Sequence, residues 1–170
     1  STIKFLEQAL RHLMKLTSER KRSDAVVMDS HPDYGTRQIA EKFSEEFDVD
    51  LYKIQHHWAH AASLMLENKI DESVVLSLDG LGYGDDGNFW GGEVLVSNYD
   101  DYKRLGHLEY IPMIGGDIAT KDPRRLVYGI FKQFGKNMFF KDKEAEILGK
   151  IIDKSPLSSS LGRVLDALSC

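Results

Sequence analysis

The chain has 170 residues, 42% hydrophobic and 29% charged, with a formal net charge of −5 at pH 7. This is the balance of an ordinary globular protein with length for one domain, or one and part of another, and its acidic excess argues against a general nucleic-acid or membrane-surface binder. A single cysteine, Cys170, excludes an internal disulfide framework and fits a reducing cytoplasm.

No apolar run approaches the roughly 18 residues of a membrane-spanning helix, and the opening "STIKFLEQ" lacks a signal-peptide layout. The chain starts inside a helical pattern and stops at "DALSC", so it reads as a piece of a longer protein. Ile3, Leu6, Leu10, Leu13, Met14 and Leu16 recur at helical spacing and predict an amphipathic helix over residues 2–20, with "ERKR" (19–22) as its solvated end. "DAVVMD" (24–29) predicts a short buried strand. "HPDYGTRQIAEKFSEEF" predicts a turn and a helix, capped by Asp33 or Thr36. A second strand is expected at 50–55, a histidine-bearing helix at 56–69, and a third strand at 72–80 ending in a glycine-rich turn. "NFWGGEVLVS" and "YKRLGHLEYI" alternate as two hairpin-related strands. Helices are expected near 123–134, 142–153 and 159–168, with "KSPLSSS" as a helix-to-helix connection that ends in a serine cap. Strand–helix alternation makes the chain α/β.

The stretch "QHHWAH" holds three of the six histidines. Each helical residue advances about 100°, so His56 and His60 lie only about 40° apart, on a face shared with Ser63 and Glu67. Trp58, Ala62, Met65 and Leu66 are expected on the opposite, apolar side. One helix can thus offer two imidazoles to one cation, as in HExxH proteins. The residue after the first histidine is His57 rather than Glu, so the general base of a metalloprotease is missing. The plain alternative is a polar helix face that happens to be rich in histidine. Further ligands must come from elsewhere, and Asp79 is the best-placed carboxylate because it closes a buried strand, where α/β proteins put ligands. It also suits an ordinary Asp-Gly turn. Neutral imidazole is the ligating form, so metal affinity is expected to fall below about pH 6.

"DGLGYGDDGNFWGGE" carries six glycines in fifteen residues. Glycine admits close approach of backbone N–H groups to an anion. No GK[ST] follows, and a strand rather than a helix comes next, so this is neither a P-loop nor a dinucleotide fingerprint. Two readings stand: a phosphate-facing turn between strands, or a wide hairpin. Asp85 and Asp86 would repel phosphate and suit shaping the turn or touching a metal's water shell. Arg124 and Arg125 in "KDPRRL" suit a phosphate or acidic neighbours equally.

The blocks "MDSHPDYGTRQIAEKF", "IQHHWAHAASLM", "LSLDGLGYGDDGNFWGGEVLV", "LGHLEYIPMIGGDIATKDPRRL" and "SSSLGRVLDAL" follow one another as in HypF-type carbamoyltransferases, maturation factors for NiFe hydrogenases. The resemblance runs from about Asp24 to Leu168. It points to the HypF domain related to TsaD, the tRNA threonylcarbamoyladenosine synthesis protein, in the actin-like ATPase (RNase H-like) superfamily. The implied fold is a mixed sheet flanked by helices. Residues 1–170 would be one TsaD-like fragment, with an α/β lobe over about 1–115 and a mainly helical part of a second, incomplete lobe over about 116–170.

The resemblance implies a chemistry as well. Such proteins use carbamoyl phosphate and ATP, pass through carbamoyl-adenylate, and hand the carbamoyl group to the C-terminal cysteine of HypE. Acylphosphatase-like, zinc-finger and YrdC-like domains accompany this one. By motif, His56, His60 and Asp79 take the places of metal ligands, with zinc or iron the leading candidates. Gly80, Gly82, Tyr83 and Gly84 map onto the phosphate-facing loop, and Gly162 and Asp166 lie close to the nucleotide. His57 is a candidate proton shuttle or a structural neighbour. Trp58 stands where the family commonly has another histidine. The family also continues past "DAL" into a further segment with a final aspartate ligand, so the piece alone is expected to be inactive. Alternatives are a tRNA threonylcarbamoyl transferase relative, or a non-catalytic metal- or nucleotide-binding fragment. A cytoplasmic protein without nucleic-acid or membrane partners is expected.

Overall fold

The computed structural model describes residues 2–17, 23–132, 134–135 and 139–170, which fall into two compact units, Ser1–Gln55 and His56–Cys170. In the first unit, helix α1 (Thr2–Thr17) is followed by β1 (Val26–Asp29), α2 (Thr36–Phe47) and β2 (Leu51–Ile54). The "ERKR" stretch lies outside the described residues. β1 and β2 pair in parallel from Val26↔Leu51 to Asp29↔Ile54, with α2 as the crossover a parallel pair requires. Met28, Ile39, Ala40 and Phe43 are buried together by the inner face of α2 and β1.

Neither Asp33 nor Thr36 caps α2. The N-cap is Gly35, with no side-chain cap bond. The preceding residues are committed to a local turn: the His31 N–H donates to Asp29 Oδ1 at 2.8 Å, and the Asp33 N–H donates to His31 Nδ1 at 3.1 Å. The His31 and Tyr34 rings stack with centroids 3.9 Å apart, which closes that turn.

The second unit opens with α3 (His56–Asn68), followed by β3 (Glu72–Tyr83), β4 (Phe89–Asn98), β5 (Tyr102–His107) and β6 (Ile111–Pro112). Then come α4 (Ile118–Lys121), α5 (Arg124–Lys132), α6 (Asp142–Ile151), a 3-10 turn (Ile152–Lys154), β7 (Leu157–Ser158) and α7 (Leu161–Leu168). The sheet is mixed: its order is β3-β4-β7-β6, with β5 also on β4, and β7 runs parallel to β4 while the other pairs are antiparallel. Ile111, Met113, Ala119 and Leu126 form one apolar cluster; Ile114, Tyr128, Ala145 and Leu148 form another. Tyr128, fully buried, satisfies its hydroxyl by donating to the Ala145 carbonyl at 2.7 Å.

Three departures from the sequence reading bear on function. First, β3 does not end at Gly80 but continues to Tyr83, and its register against β4 shifts between Leu78↔Gly92 and Gly82↔Trp90. Asp79, Gly80 and Leu81 therefore form a bulge, which re-aims the Asp79 side chain. Second, "KSPLSSS" is more than a connection, because β7 inserts Leu157 and Ser158 between β4 and β6. Its serine cap is present: Ser160 accepts the Arg163 N–H at the start of α7. Third, the buried face of α3 is His57, Ala61 and Met65, an i, i+4, i+8 stripe, while Leu66 is 71% exposed.

Candidate metal centre

Helical spacing puts His56 and His60 on one face of α3, and their Nε2 atoms are 3.2 Å apart with the rings edge to face. The β3 bulge brings Asp79 to the same point, with Oδ2 3.0 Å from His56 Nε2. One ligand atom from each of the three residues lies within 4.8 Å of the others. The other Asp79 oxygen, Oδ1, accepts the Gly80 N–H at 2.5 Å. Partial burial would raise the Asp79 carboxyl, but the Gly80 amide and His56 outweigh it and hold the group below the usual carboxylate range.

The donor set fits a metal ion. Bonds of about 2.0–2.1 Å to imidazole and carboxylate in a tetrahedron put ligand atoms about 3.3 Å apart. The 3.0 and 3.2 Å separations here match that edge. Two imidazoles and a carboxylate suit zinc or iron.

His57 is wholly buried beside this cluster, its Nε2 3.8 Å from Asp79 Oδ2 and its ring 6.1 Å from that of Trp90. Burial, helped by the neighbouring His56, pushes its pKa down to about 4, so the ring is neutral near pH 7. Trp58 is half-buried on another side of α3, donating from Nε1 to the Asn98 carbonyl at 3.0 Å and stacking on Tyr102.

The glycine stretch is threaded through this cluster. A Cβ on Gly82 would lie 2.5 Å from His57 Cε1, and one on Gly84 would lie 2.0 Å from Trp90 Nε1. Nothing lies within 4 Å of the Cβ position of Gly80, whereas a Cβ on Gly162 would be 2.8 Å from the Gly80 Cα. The start of α7 therefore abuts Gly80, which brings together two of the residues read as nucleotide-facing. The turn itself is closed by the Gly84 N–H on the Asn88 carbonyl (2.8 Å) and the Gly87 N–H on the Gly84 carbonyl (3.0 Å). Tyr83 ends β3, half-buried. Asp166 is one turn along α7 from Arg163 and pairs with it at 2.7 Å.

Other residues singled out above have structural partners. Asp86 accepts from Asn88 N, Trp90 Nε1, Tyr110 Oη and Arg104, so it shapes the turn. Asp85 is bonded by the Tyr102 hydroxyl. Arg124 grips Asp122 with two bonds of 2.7 and 3.0 Å, and Arg125 donates to the Ile114 carbonyl.

The sequence reading passed over Glu93, Arg104 and Ser159, and gave Ser160 only a capping role. Glu93 is completely buried, and its carboxylate accepts from Gly91 N, Gly92 N and Ser159 Oγ through Oε1 and from Arg104 Nε through Oε2. Strand alternation in "GGEVLVS" gave the available signal, because it puts Glu93 on the same inward face as Leu95 and Ser97.

Residues 75–170 match the family described as "Carbamoyltransferase, Kae1-like Domain, second subdomain", and residues 1–67 match the "HypF Kae1-like domain". The chain belongs to the HypF carbamoyltransferase family. It is similar to the probable carbamoyltransferase HypF of Methanocaldococcus jannaschii, 41% identical over 99% of this chain and 24% of that protein. The carbamoyltransferase HypF2 of Cupriavidus necator is 35% identical over 98% of this chain and 22% of that protein. Among solved structures, T. kodakarensis HypF superposes with a TM-score of 0.84 at 35% identity, covering 98% of this chain and 24% of that one. Full-length HypF in a phosphate- and nucleotide-bound form superposes at 0.82 with 33% identity, covering 95% of this chain and 26% of that one. The chain thus spans about a quarter of the length of each of these four proteins. These likenesses agree with the α/β, actin-like architecture expected from the motifs. Among the described residues no helix is long and apolar enough to cross a membrane.

Proposed function

We propose that this chain is the transfer domain of a HypF protein, passing a carbamoyl group from carbamoyl-adenylate to the C-terminal cysteine of HypE. In that step the acceptor thiolate forms a bond to the carbamoyl carbon, the carbon–oxygen bond to the adenylate phosphate breaks, and AMP leaves with the electron pair. The nucleophile comes from the partner, so the domain supplies none.

The observation that carries the reading is the convergence of His56, His60 and Asp79 beside the glycine strip, in a member of this family. His56 and His60 as neutral imidazoles and Asp79 as a carboxylate would hold a divalent cation. When bound, the ion supplies a Lewis acid for the carbamoyl and phosphate oxygens. Gly80, Gly82 and Gly84 present backbone without side chains, so an anionic substrate approaches closely there, with Tyr83 at its edge and Gly162 and Asp166 on the nucleotide side. His57, neutral and buried under Gly82, packs beside His56 and Asp79 and helps orient them. Cytoplasmic HypF partner domains of the YrdC-like, zinc-finger and acylphosphatase-like types would form the adenylate from carbamoyl phosphate and ATP.

The test is transfer of labelled carbamoyl from carbamoyl phosphate and ATP to HypE by the full-length parent. His56→Ala and Asp79→Asn should abolish labelling of HypE while formation of the adenylate, read as pyrophosphate release from ATP, persists. Wild-type labelling by either variant would overturn the assignment.

A further inference from the structure

The register shift in β3 takes Asp79, Gly80 and Leu81 out of the ladder with β4. A proposed metal ligand therefore sits where the regular pairing with β4 is interrupted. What fixes it instead comes from two sides. Ser160 Oγ donates to the Asp79 carbonyl at 3.0 Å and also contacts the Gly80 carbonyl. Gly91 is pressed against the same place: a Cβ there would lie 2.6 Å from the Asp79 carbonyl oxygen and 3.0 Å from Ser160 Cβ.

Both supports end on one buried carboxylate. Glu93 Oε1 accepts the Gly91 and Gly92 N–H groups at 3.1 Å each, and the Ser159 hydroxyl at 2.5 Å. Its other oxygen takes Arg104 Nε at 2.6 Å, and that guanidinium lies 4.0 Å over the Trp90 ring. Ser159 is further tied to β4 by its N–H on the Phe89 carbonyl at 2.9 Å. Burying a lone carboxylate would be very costly, and this one is neutralised by Arg104 and saturated with donors. Such a group is a strong, stiff anchor.

We infer that Glu93, seated by Arg104, is a positioning residue that clamps Gly91 and the Ser159–Ser160 segment about the bulge and so fixes the Asp79 carboxylate. It touches neither substrate nor metal. The inference rests on the metal reading of Asp79 for its consequence, but the clamp itself is tested without metal. Supporting residues of this kind typically change metal affinity about 10–100-fold.

The experiment uses Ser159→Ala and Glu93→Gln in this chain, with amide hydrogen exchange by NMR and titration with Co2+ followed by visible absorption. Both variants should speed exchange of the Gly80 and Gly91 amides by at least about tenfold while Leu126 and Tyr128 in α5 keep their protection. Both should weaken Co2+ binding by about tenfold or more. Ser159→Ala removes only one hydroxyl, so it carries the test if Glu93→Gln does not fold. Unchanged Gly80 exchange and Co2+ affinity in folded Ser159→Ala, or a uniform loss of protection that includes α5, overturns the clamp. Local loosening at Gly80 in a chain whose wild type shows no Co2+ absorption upholds the clamp and removes the metal reading instead.

Discussion

Gly82 packs directly under the imidazoles of His56 and His57: a Cβ at this position would come within 2.7 Å of His56 Cδ2 and 2.5 Å of His57 Cε1. β3, just past its bulge, meets the first turn of α3 here with glycine backbone set against two rings. Gly82→Ala must push both rings, and His57 has nowhere to go because it is fully buried. Overpacking of this sort costs about 1–3 kcal/mol. The variant should lose stability in that range by urea denaturation and bind Co2+ at least about tenfold more weakly than wild type. Wild-type affinity would mean that His56 is not a ligand.

Removing a ligand should be more severe than disturbing one. His60 is exposed, so His60→Ala opens no cavity and is expected to leave stability within about 0.5 kcal/mol of wild type. Metal binding should nevertheless fall to background in a Co2+ titration. His107→Ala, another exposed histidine on β5, should bind as wild type does. Equal loss in both variants would point to nonspecific binding by surface histidines.

Acid should loosen the glycine region through its carboxylates. Burial favours the protonated form of Asp86, but the Tyr110 hydroxyl and the Asn88 and Trp90 N–H groups reverse that and bring its pKa down to about 2. Glu93 is lowered in the same way, against the effect of burial, by Ser159, the Gly91 amide and Arg104. Carboxylates depressed on folding stabilise above their unfolded pKa, about 4, and that contribution is lost as pH falls through the folded value. Denaturant unfolding at pH 6, 5, 4 and 3 should show stability dropping below about pH 4.5, and the drop should be smaller in Asp86→Asn. Stability that rises on acidification would contradict the network.

Tyr128 offers a control away from the site. Tyr128→Phe keeps the apolar packing with Phe140 and leaves the buried Ala145 carbonyl without its donor. The expected cost is about 1–2 kcal/mol with no change in Co2+ affinity. A change in affinity would show that α5 and α6 couple to the site.

The elements whose side chains repeat at a regular period were legible from residues alone. The spacing of His56 and His60, the alternation of "NFWGGEVLVS" and the serine cap of α7 all follow local rules, and the structure repeats them. The bulge at Asp79–Leu81 was not legible, because a glycine run in a strand reads as a turn unless the partner strand's register is known. β7 was hidden for the same reason: two residues pair only because β4 and β6 lie ready to receive them. Glu93 illustrates the limit most sharply. A charged residue in an alternating strand looks like a solvated position, and only its four donors, drawn from β4, β5 and the segment after β7, explain its burial.

The bond from Ser160 to the Asp79 carbonyl spans 81 positions of the chain. Closing so long a loop is entropically unfavourable and has to follow the formation of more local structure. During synthesis, His56, His60 and Asp79 are therefore all made well before the serine that steadies them. A ribosome-bound chain ending short of residue 160 would hold His56, His60 and Asp79 yet lack the serine that steadies the bulge carrying Asp79.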